Sequence, residues 1–205
     1  MRKISNKFLH TTIIVFAVVL CVTSVLKTYP FADAQVPAEY YFEGENVNLN
    51  GDFMLSSVEN TDGYIITLEQ TELISYENMM MRYGYDSEYL GQNSRFDIVL
   101  ITLNIQNIDN IDGCLLLKEF RIINKWKNID YGIDNTLLPI TETSLNDTYS
   151  IAIRPGTEYT ITLPYSLNKR RIDGINKIEI DDMPLYLRVS AYPTKKFIIL
   201  NEIQK

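Results

Sequence analysis

The amino-acid sequence predicts an all-β sandwich. Segments with apolar side chains at every second position recur along the chain, turn-forming residue pairs separate them, and no long stretch has the spacing of an amphipathic helix. Because successive side chains of a strand point to opposite faces, this alternation indicates strands with a buried face. Strands at intervals of roughly 8 to 20 residues, without long helices between them, are typical of two packed sheets.

The segment "FDIVLITLNIQN" (96–107) predicts a long central strand. One face carries Val99, Ile101, Leu103 and Ile105. The other face begins with apolar residues and ends with polar ones, so we expect it to be covered for part of its length. The segment "TEYTITLPYS" (157–166) alternates most regularly of all. Turns are predicted at the pairs Asn50-Gly51, Asp62-Gly63, Asp112-Gly113, Pro155-Gly156 and Asp173-Gly174.

The chain divides into a leader (1–34), a polar and acidic spacer (35–50) and the β domain (51–203). The leader joins a basic start to an apolar run over residues 11–26, and this predicts an N-terminal apolar helix. Ala32 and Ala34 form a small-x-small site, so one interpretation is a signal peptide that is cut before Gln35. The other is an uncleaved anchor in the membrane, because residues 8–26 are almost long enough to span a bilayer. With the basic flank inside, the domain lies on the outer face of the cytoplasmic membrane or is secreted.

Residues 76–94 interrupt the strand pattern and predict one or two helical turns in a crossover between early strands. Tyrosine and methionine are frequent at protein contact surfaces, because both bury area adaptably. The segment is therefore either a lid on one end of the sandwich or a contact site for a partner. The residues concerned are Tyr76, Met79, Met80, Met81, Tyr83, Tyr85 and Tyr89.

The residues that common catalytic sites require are missing after the leader. The chain's one histidine, His10, lies in the leader, and of its two cysteines only Cys114 lies in the domain. This excludes Ser-His-Asp catalysis and a zinc site built from histidine and cysteine. No glycine-rich phosphate loop is present either. We therefore predict no catalytic, cofactor-binding or metal-binding residues.

Two acidic segments are weaker candidates for chemistry. The segment "NIDNIDG" (107–113) superficially resembles a calcium loop, but Ile111 occupies a position where a ligand oxygen is needed, so we interpret it as a turn. Asp181 and Asp182 would supply half of a carboxylate pair for glycoside hydrolysis, which needs a cleft and a fixed separation of the two carboxyl groups. A solvated loop is the preferred interpretation.

The charge of the chain argues against nucleic acid as a partner. The formal net charge is -7, and without residues 1–34, which hold four of the 19 basic and one of the 26 acidic side chains, it is -10. An acidic surface repels phosphate groups, so we expect no nucleic-acid binding.

Several segments resemble the immunoglobulin-like extracellular domains of Firmicutes, also called immunoprotective extracellular or telomeric-repeat-binding-factor-like domains. The resemblance rests on "TDGYIITL", "FDIVLITLNIQN", "IRPGTEYTITLPYS" and "LYLRVSAYP". The segments "AEYYFEGENVNLNGDFMLSSVENTDGY" and "YGYDSEYL" are similar to a group of gut-bacterial proteins described only as a domain of unknown function. The resemblance spans about residues 38–200. It implies an immunoglobulin-like antiparallel β-sandwich and names no catalytic residue.

These observations lead to one expected function and two alternatives. We expect an exported bacterial protein that acts as a non-catalytic binding module at the cell envelope. Its partners would be an envelope protein and, if the leader is not cut, the membrane. The first alternative is an extracytoplasmic hydrolase that uses carboxylates, such as a glycosidase. The second is a structural spacer domain without a partner.

Overall fold

The structure is a computed structural model that describes residues 36–85, 96–124, 129–145, 150–168 and 184–200. These residues are mostly strands with a few short helices, as the all-β prediction requires. The strands, in chain order, are β1 (Ala38–Tyr41), β2 (Asn46–Asn48), β3 (Tyr64–Ser75), β4 (Phe96–Asn107), β5 (Leu115–Leu116), β6 (Arg121–Asn124), β7 (Ile129–Tyr131), β8 (Ser150–Ile151), β9 (Thr157–Asn168), β10 (Leu185–Ser190) and β11 (Lys195–Leu200). The helices are α1 (Tyr76–Arg82), α2 (Leu138–Thr141) and the 3₁₀ turns Ser57–Glu59 and Leu117–Glu119.

The described strands form two larger sheets and a small one. The first sheet has the order β1-β11-β10-β6-β7, and the second has the order β2-β3-β4-β9. Strands β5 and β8 pair separately. Strand β1 runs parallel to β11, while the other pairings are antiparallel.

Both larger sheets contribute side chains to one hydrophobic core. In β4 the predicted face of Val99, Ile101, Leu103 and Ile105 is buried there, as its alternation indicated. The first sheet contributes, among others, Ile122, Leu187, Val189, Ile198 and Leu200. Burial of these side chains is the main force that holds the two sheets together.

A second cluster covers the other face of β4 at the end where that strand begins. Ile98 and Leu100 pack there with side chains of α1 and of the segment that includes α2. The predicted partial cover on the second face of this strand is therefore confirmed. The helical prediction for residues 76–94 is confirmed over α1, where Ser75 caps the helix by accepting a hydrogen bond from Asn78 N at 3.2 Å.

Two parts of the predicted organisation need correction. Residues 38–41 and 46–48 lie in the predicted spacer, yet they form β1 and β2 and pair with β11 and β3. The segment after β3 is not a crossover, because β3 and β4 are antiparallel neighbours along almost their whole length. The compact unit that contains the described strands begins at Pro37. The leader, with its predicted helix, lies outside the described residues.

Glu142, which follows α2, gives a prediction for the dependence of stability on pH. Its carboxylate accepts hydrogen bonds from Thr162 N at 2.6 Å and Tyr159 Oη at 3.1 Å, and burial raises the pKa of the carboxyl above its ordinary value of 4.5. As the pH rises, the Glu142 carboxyl therefore ionises at a lower pH in the unfolded chain than in the folded protein. Between the pKa of the unfolded state and that of the folded state, Glu142 progressively lowers the free energy of unfolding. We expect Glu142→Gln to remove this decline. Urea unfolding between about pH 4 and 7 should show the stability difference, variant minus wild type, growing with pH. A constant difference would contradict the prediction.

Candidate functional site

The predicted Met/Tyr contact residues do not form one exposed patch. Tyr76, Met79 and Met80 are buried in the second cluster, so their prediction as contact residues is corrected. They stand at helical positions i, i+3 and i+4, which share one face of α1, and that face packs on the protein itself. This agrees with the lid interpretation for these three.

The other predicted contact residues differ in exposure. Met81 is 58% exposed and Tyr85 is 44% exposed, while Tyr83 is half-buried. Tyr89 lies outside the described residues, as do Ala32, Ala34 and Gln35 at the predicted cleavage site. Asp181 and Asp182 also lie outside them, so the glycosidase alternative stays a prediction.

The opposite end of the second sheet carries two loops with exposed apolar tips. The first loop, residues 53–63, leads into β3, and the second, residues 108–114, follows β4. Both loops lie at the same end because Tyr64 at the start of β3 pairs with Asn107 at the end of β4. We call their exposed aliphatic side chains the aliphatic rim, which comprises Leu55, Val58, Ile108 and Ile111.

A buried carboxylate fixes the first loop. Glu59 accepts hydrogen bonds from three successive backbone N–H groups, those of Met54 at 3.2 Å, Leu55 at 2.7 Å and Ser56 at 3.1 Å. Ser56 in turn accepts from Val58 N at 3.3 Å, which completes a capping box. These bonds leave the 3₁₀ turn little freedom, and Val58 stands at its tip with 85% of its surface exposed.

Two buried asparagines fix the second loop. Asn107 Oδ1 accepts from Asn110 N at 2.8 Å, and Asn107 Nδ2 donates to Asn110 O at 2.7 Å. Asn110 Oδ1 accepts from Gly113 N at 2.6 Å. The predicted turn in residues 107–113 is thus built by amide side chains, which replace backbone partners in a tight loop. Ile111 projects from it with 84% of its surface exposed.

Hydrogen bonds also join the two loops. Asn110 Nδ2 donates to Asn60 O at 2.7 Å and Asp62 O at 2.5 Å, and Cys114 N donates to Glu59 O at 2.9 Å. Tyr64 Oη donates to Gly113 O at 3.0 Å, and burial raises the pKa of this tyrosine, which therefore keeps its proton. The two loops consequently form one preorganised support for the aliphatic rim.

Exposed carboxylates stand next to the rim. Asp62 is exposed in the first loop, and Asp109 and Asp112 are exposed in the second. Among the residues that the structure describes, no group of three or more histidine, cysteine, aspartate or glutamate side chains is placed to hold a metal ion. The arrangement can offer a surface that is apolar at its tips and acidic at its sides.

A buried ion pair lies near the same end, where β11 begins. Lys196 Nζ lies 2.7 Å from Asp52 Oδ2, and the two side chains are 2% and 6% exposed. Nζ also donates to Leu49 O at 2.9 Å and to Asn48 O. Three acceptors thus satisfy the ammonium group, as a buried charge requires.

The sequence carries local signals for some of these features. Ser56 and Glu59 have the spacing of a capping box. Lys196 stands two residues before Ile198 and four before Leu200, so strand geometry places all three on the face that is buried in the core. No local pattern, however, shows that Asn110 reaches Asn60.

The sequence model of the family described as Domain of unknown function (DUF5028) matches residues 38–196. The chain belongs to the DUF5028 family. The resemblance to a group with a domain of unknown function is therefore confirmed. The DUF5028 match begins at the first residue of β1 and ends at Lys196, so it includes β1 and β2, which lie in the predicted spacer, as well as both members of the buried ion pair.

Other comparisons add little to the DUF5028 assignment. No protein with a curated description matches the chain. A crystal structure of a conserved hypothetical protein from Bacillus anthracis is similar over 75% of this chain and 95% of that one, with 14% sequence identity and a TM-score of 0.38. A likeness this weak supports no functional argument. Within the residues that the structure describes, no helix is long and apolar enough to cross a membrane.

Proposed function

We propose that this DUF5028 domain is a non-catalytic protein-binding module of an exported bacterial protein, and that the aliphatic rim is its contact surface. The observation that carries the proposal is the contrast between the backbone and the tips of the two loops. Their backbone is held by buried Glu59, Asn107 and Asn110, yet Val58 and Ile111 are almost fully exposed. A rigid surface loses little conformational entropy on binding, so exposed apolar groups on it convert efficiently into affinity.

The charges around the rim suggest the chemistry of the partner. Asp62, Asp109 and Asp112 would repel an anionic surface and attract a cationic one. We propose a protein partner that presents apolar side chains flanked by lysine or arginine. Because exposed charges are screened by salt, binding should weaken as ionic strength rises.

The proposal extends to fold and location. Two sheets that share one core fit an immunoglobulin-like β-sandwich, with β1 as a parallel addition at one edge. The leader supports a place on the outer face of the cytoplasmic membrane, or secretion after cleavage near Ala34. In both cases the binding module works outside the cytoplasm.

Site-specific photo-cross-linking in the full chain would test the contact surface. A photoreactive residue is placed at position 58 or 111 in the rim, or at position 81 or 85, which are the exposed members of the predicted Met/Tyr contact residues. We expect one discrete adduct from positions 58 and 111 and none from the other two. Adducts from 81 and 85 alone would favour a contact site at Met81 and Tyr85, and no adduct from any position would favour the structural spacer.

A substitution series gives the expected size of the effect. We expect Val58→Asp and Ile111→Asp each to weaken binding of the cross-linked partner at least about tenfold, because removing a central apolar contact typically costs about 1–2 kcal/mol or more. The matched control is Met81→Asp, which changes an exposed apolar residue away from the rim. Equal affinity of all three variants, measured by surface plasmon resonance, would contradict the proposal.

A further inference from the structure

The buried ion pair has the geometry of a reactant pair. Lys196 lies on β11 and Asp52 in the loop after β2, so 143 residues separate them along the chain, and both belong to the described core of the domain. Glu39 of β1 is the register partner of Lys196, and its Oε2 lies 3.9 Å from Nζ. A buried amine, a buried carboxyl group and a second carboxyl group therefore meet at one point.

The surroundings hold the amine against the carboxyl group. The backbone carbonyls of Asn48 and Leu49 fix Nζ from one side, and Asp52 Oδ2 lies 2.7 Å away. Because Oδ2 is bonded to the Asp52 carboxyl carbon, an amine in contact with this oxygen is also near the carbon that it would attack. Thr194 N donates to Asp52 Oδ1 at 3.0 Å, so a backbone donor already faces the oxygen on which negative charge would develop.

Glu39 is placed to carry protons. Its side chain is 51% exposed, and its Oε2 accepts a hydrogen bond from Tyr41 Oη at 2.7 Å. Burial raises the pKa of Tyr41 to about 12, so this hydroxyl stays protonated and keeps the Glu39 carboxylate oriented. Glu39 thus joins a buried site to solvent.

We propose that Lys196 and Asp52 condense to an intramolecular amide bond with Glu39 as the proton carrier. The Lys196 ammonium gives one proton to Asp52 Oδ2, 2.7 Å away, so that a neutral amine faces a neutral carboxylic acid. The freed electron pair of Nζ attacks the Asp52 carboxyl carbon. Glu39 then takes a second proton from the nitrogen and gives it to the departing Oδ2 hydroxyl group. One C–N bond forms, one C–O bond breaks, and one water molecule leaves. No oxidant, reductant or other reactant is needed.

Burial favours the product over the ion pair. Two charges held away from water carry a desolvation cost, which a neutral amide does not. Fixed geometry replaces a bimolecular encounter by a step within one molecule, which raises the effective concentration of the amine greatly. The low exposure of both side chains also keeps water from hydrolysing the bond.

Mass spectrometry of the purified, denatured full chain tests the proposal. We expect a mass lower than that of the sequence by one water, no tryptic cleavage after Lys196, and a branched peptide that joins Lys196 to Asp52. Lys196→Ala and Asp52→Ala should each abolish the branched peptide. The control Lys118→Ala, which changes an exposed residue, should retain it.

The informative variant is Glu39→Gln, which keeps both reacting groups. We expect it to fold, as circular dichroism would show, and to form the branched peptide at least tenfold more slowly. An unshifted mass of the folded wild type, with normal tryptic cleavage after Lys196, would overturn the amide bond. Unchanged bond formation in Glu39→Gln would overturn the role of Glu39.

Discussion

We expect Lys196→Ala to lower the free energy of unfolding by about 3–5 kcal/mol, because it leaves the Asp52 carboxylate buried without its partner. Asp52 is 6% exposed and its Oδ1 is already bonded to Thr194 N, so neither water nor a side-chain rotation readily replaces the lost ammonium. The carbonyls of Asn48 and Leu49 also lose a donor. If the proposed amide forms, the loss is larger, since a cross-link that restricts the unfolded chain is also removed.

Urea unfolding followed by circular dichroism would measure this loss. Lys118→Ala is the control, because it removes an exposed lysine from a 3₁₀ turn and should change stability by no more than about 0.5 kcal/mol. The double variant Lys196→Met with Asp52→Leu leaves no buried charge, so we expect it to recover part of the loss. Similar stabilities of Lys196→Ala and Lys118→Ala would show that the pair contributes nothing to folding.

The core of the domain could be predicted from the sequence because its signal is local. In strand β4 every second residue from Val99 to Ile105 is apolar, and the structure buries these residues in the core as predicted. Period-two alternation follows from the geometry of one strand and needs no knowledge of its neighbours. The same holds for β9, whose Ile161, Leu163 and Tyr165 are buried.

Strands β1 and β2 escaped prediction because they are short and depend on distant partners. Strand β1 has four residues, none of them buried, and it pairs with β11 near the other end of the sequence. Strand β2 buries only Val47. Where backbone pairing at a sheet edge stabilises a strand, side-chain alternation gives little sign of it.

Of the candidate site, the sequence predicted only the two turns. Asp62-Gly63 and Asp112-Gly113 mark the two loops in the sequence, but the bonds between the loops join residues about 50 positions apart. For the Met/Tyr segment the sequence predicted helical turns but not which side chains are buried. Tyr76, Met79 and Met80 share one face of α1, and only the packing of that face on β4 shows that it is buried rather than offered to a partner.

Because the two loops are coupled, we expect Gly113→Ala to cause a large loss of stability. A Cβ atom at position 113 would lie 2.0 Å from Asn60 O and 2.6 Å from both terminal atoms of the Asn110 side chain. Asn60 O is a backbone atom that accepts from Asn110, so it cannot move without breaking the link between the loops. We expect a loss of about 2–3 kcal/mol in stability, in the range of other overpacked sites.

Gly132→Ala is the matched control for this substitution. Neither glycine has a positive φ, and a Cβ at position 132 would meet only the Arg121 side chain, at 3.5 Å from Nη1 and 3.8 Å from Cζ, which are ordinary contacts. The stability of Gly132→Ala should stay within about 0.5 kcal/mol of the wild type.

Hydrogen exchange tests the coupling of the two loops directly. We expect faster exchange of Gly113 N and Cys114 N in Gly113→Ala, because both amides donate within the coupled loops. If Gly113→Ala also lowers the affinity for the partner while Gly132→Ala does not, binding depends on the rigid support as well as on the side chains of the rim. Unchanged hydrogen exchange and unchanged affinity would mean that the loops act independently.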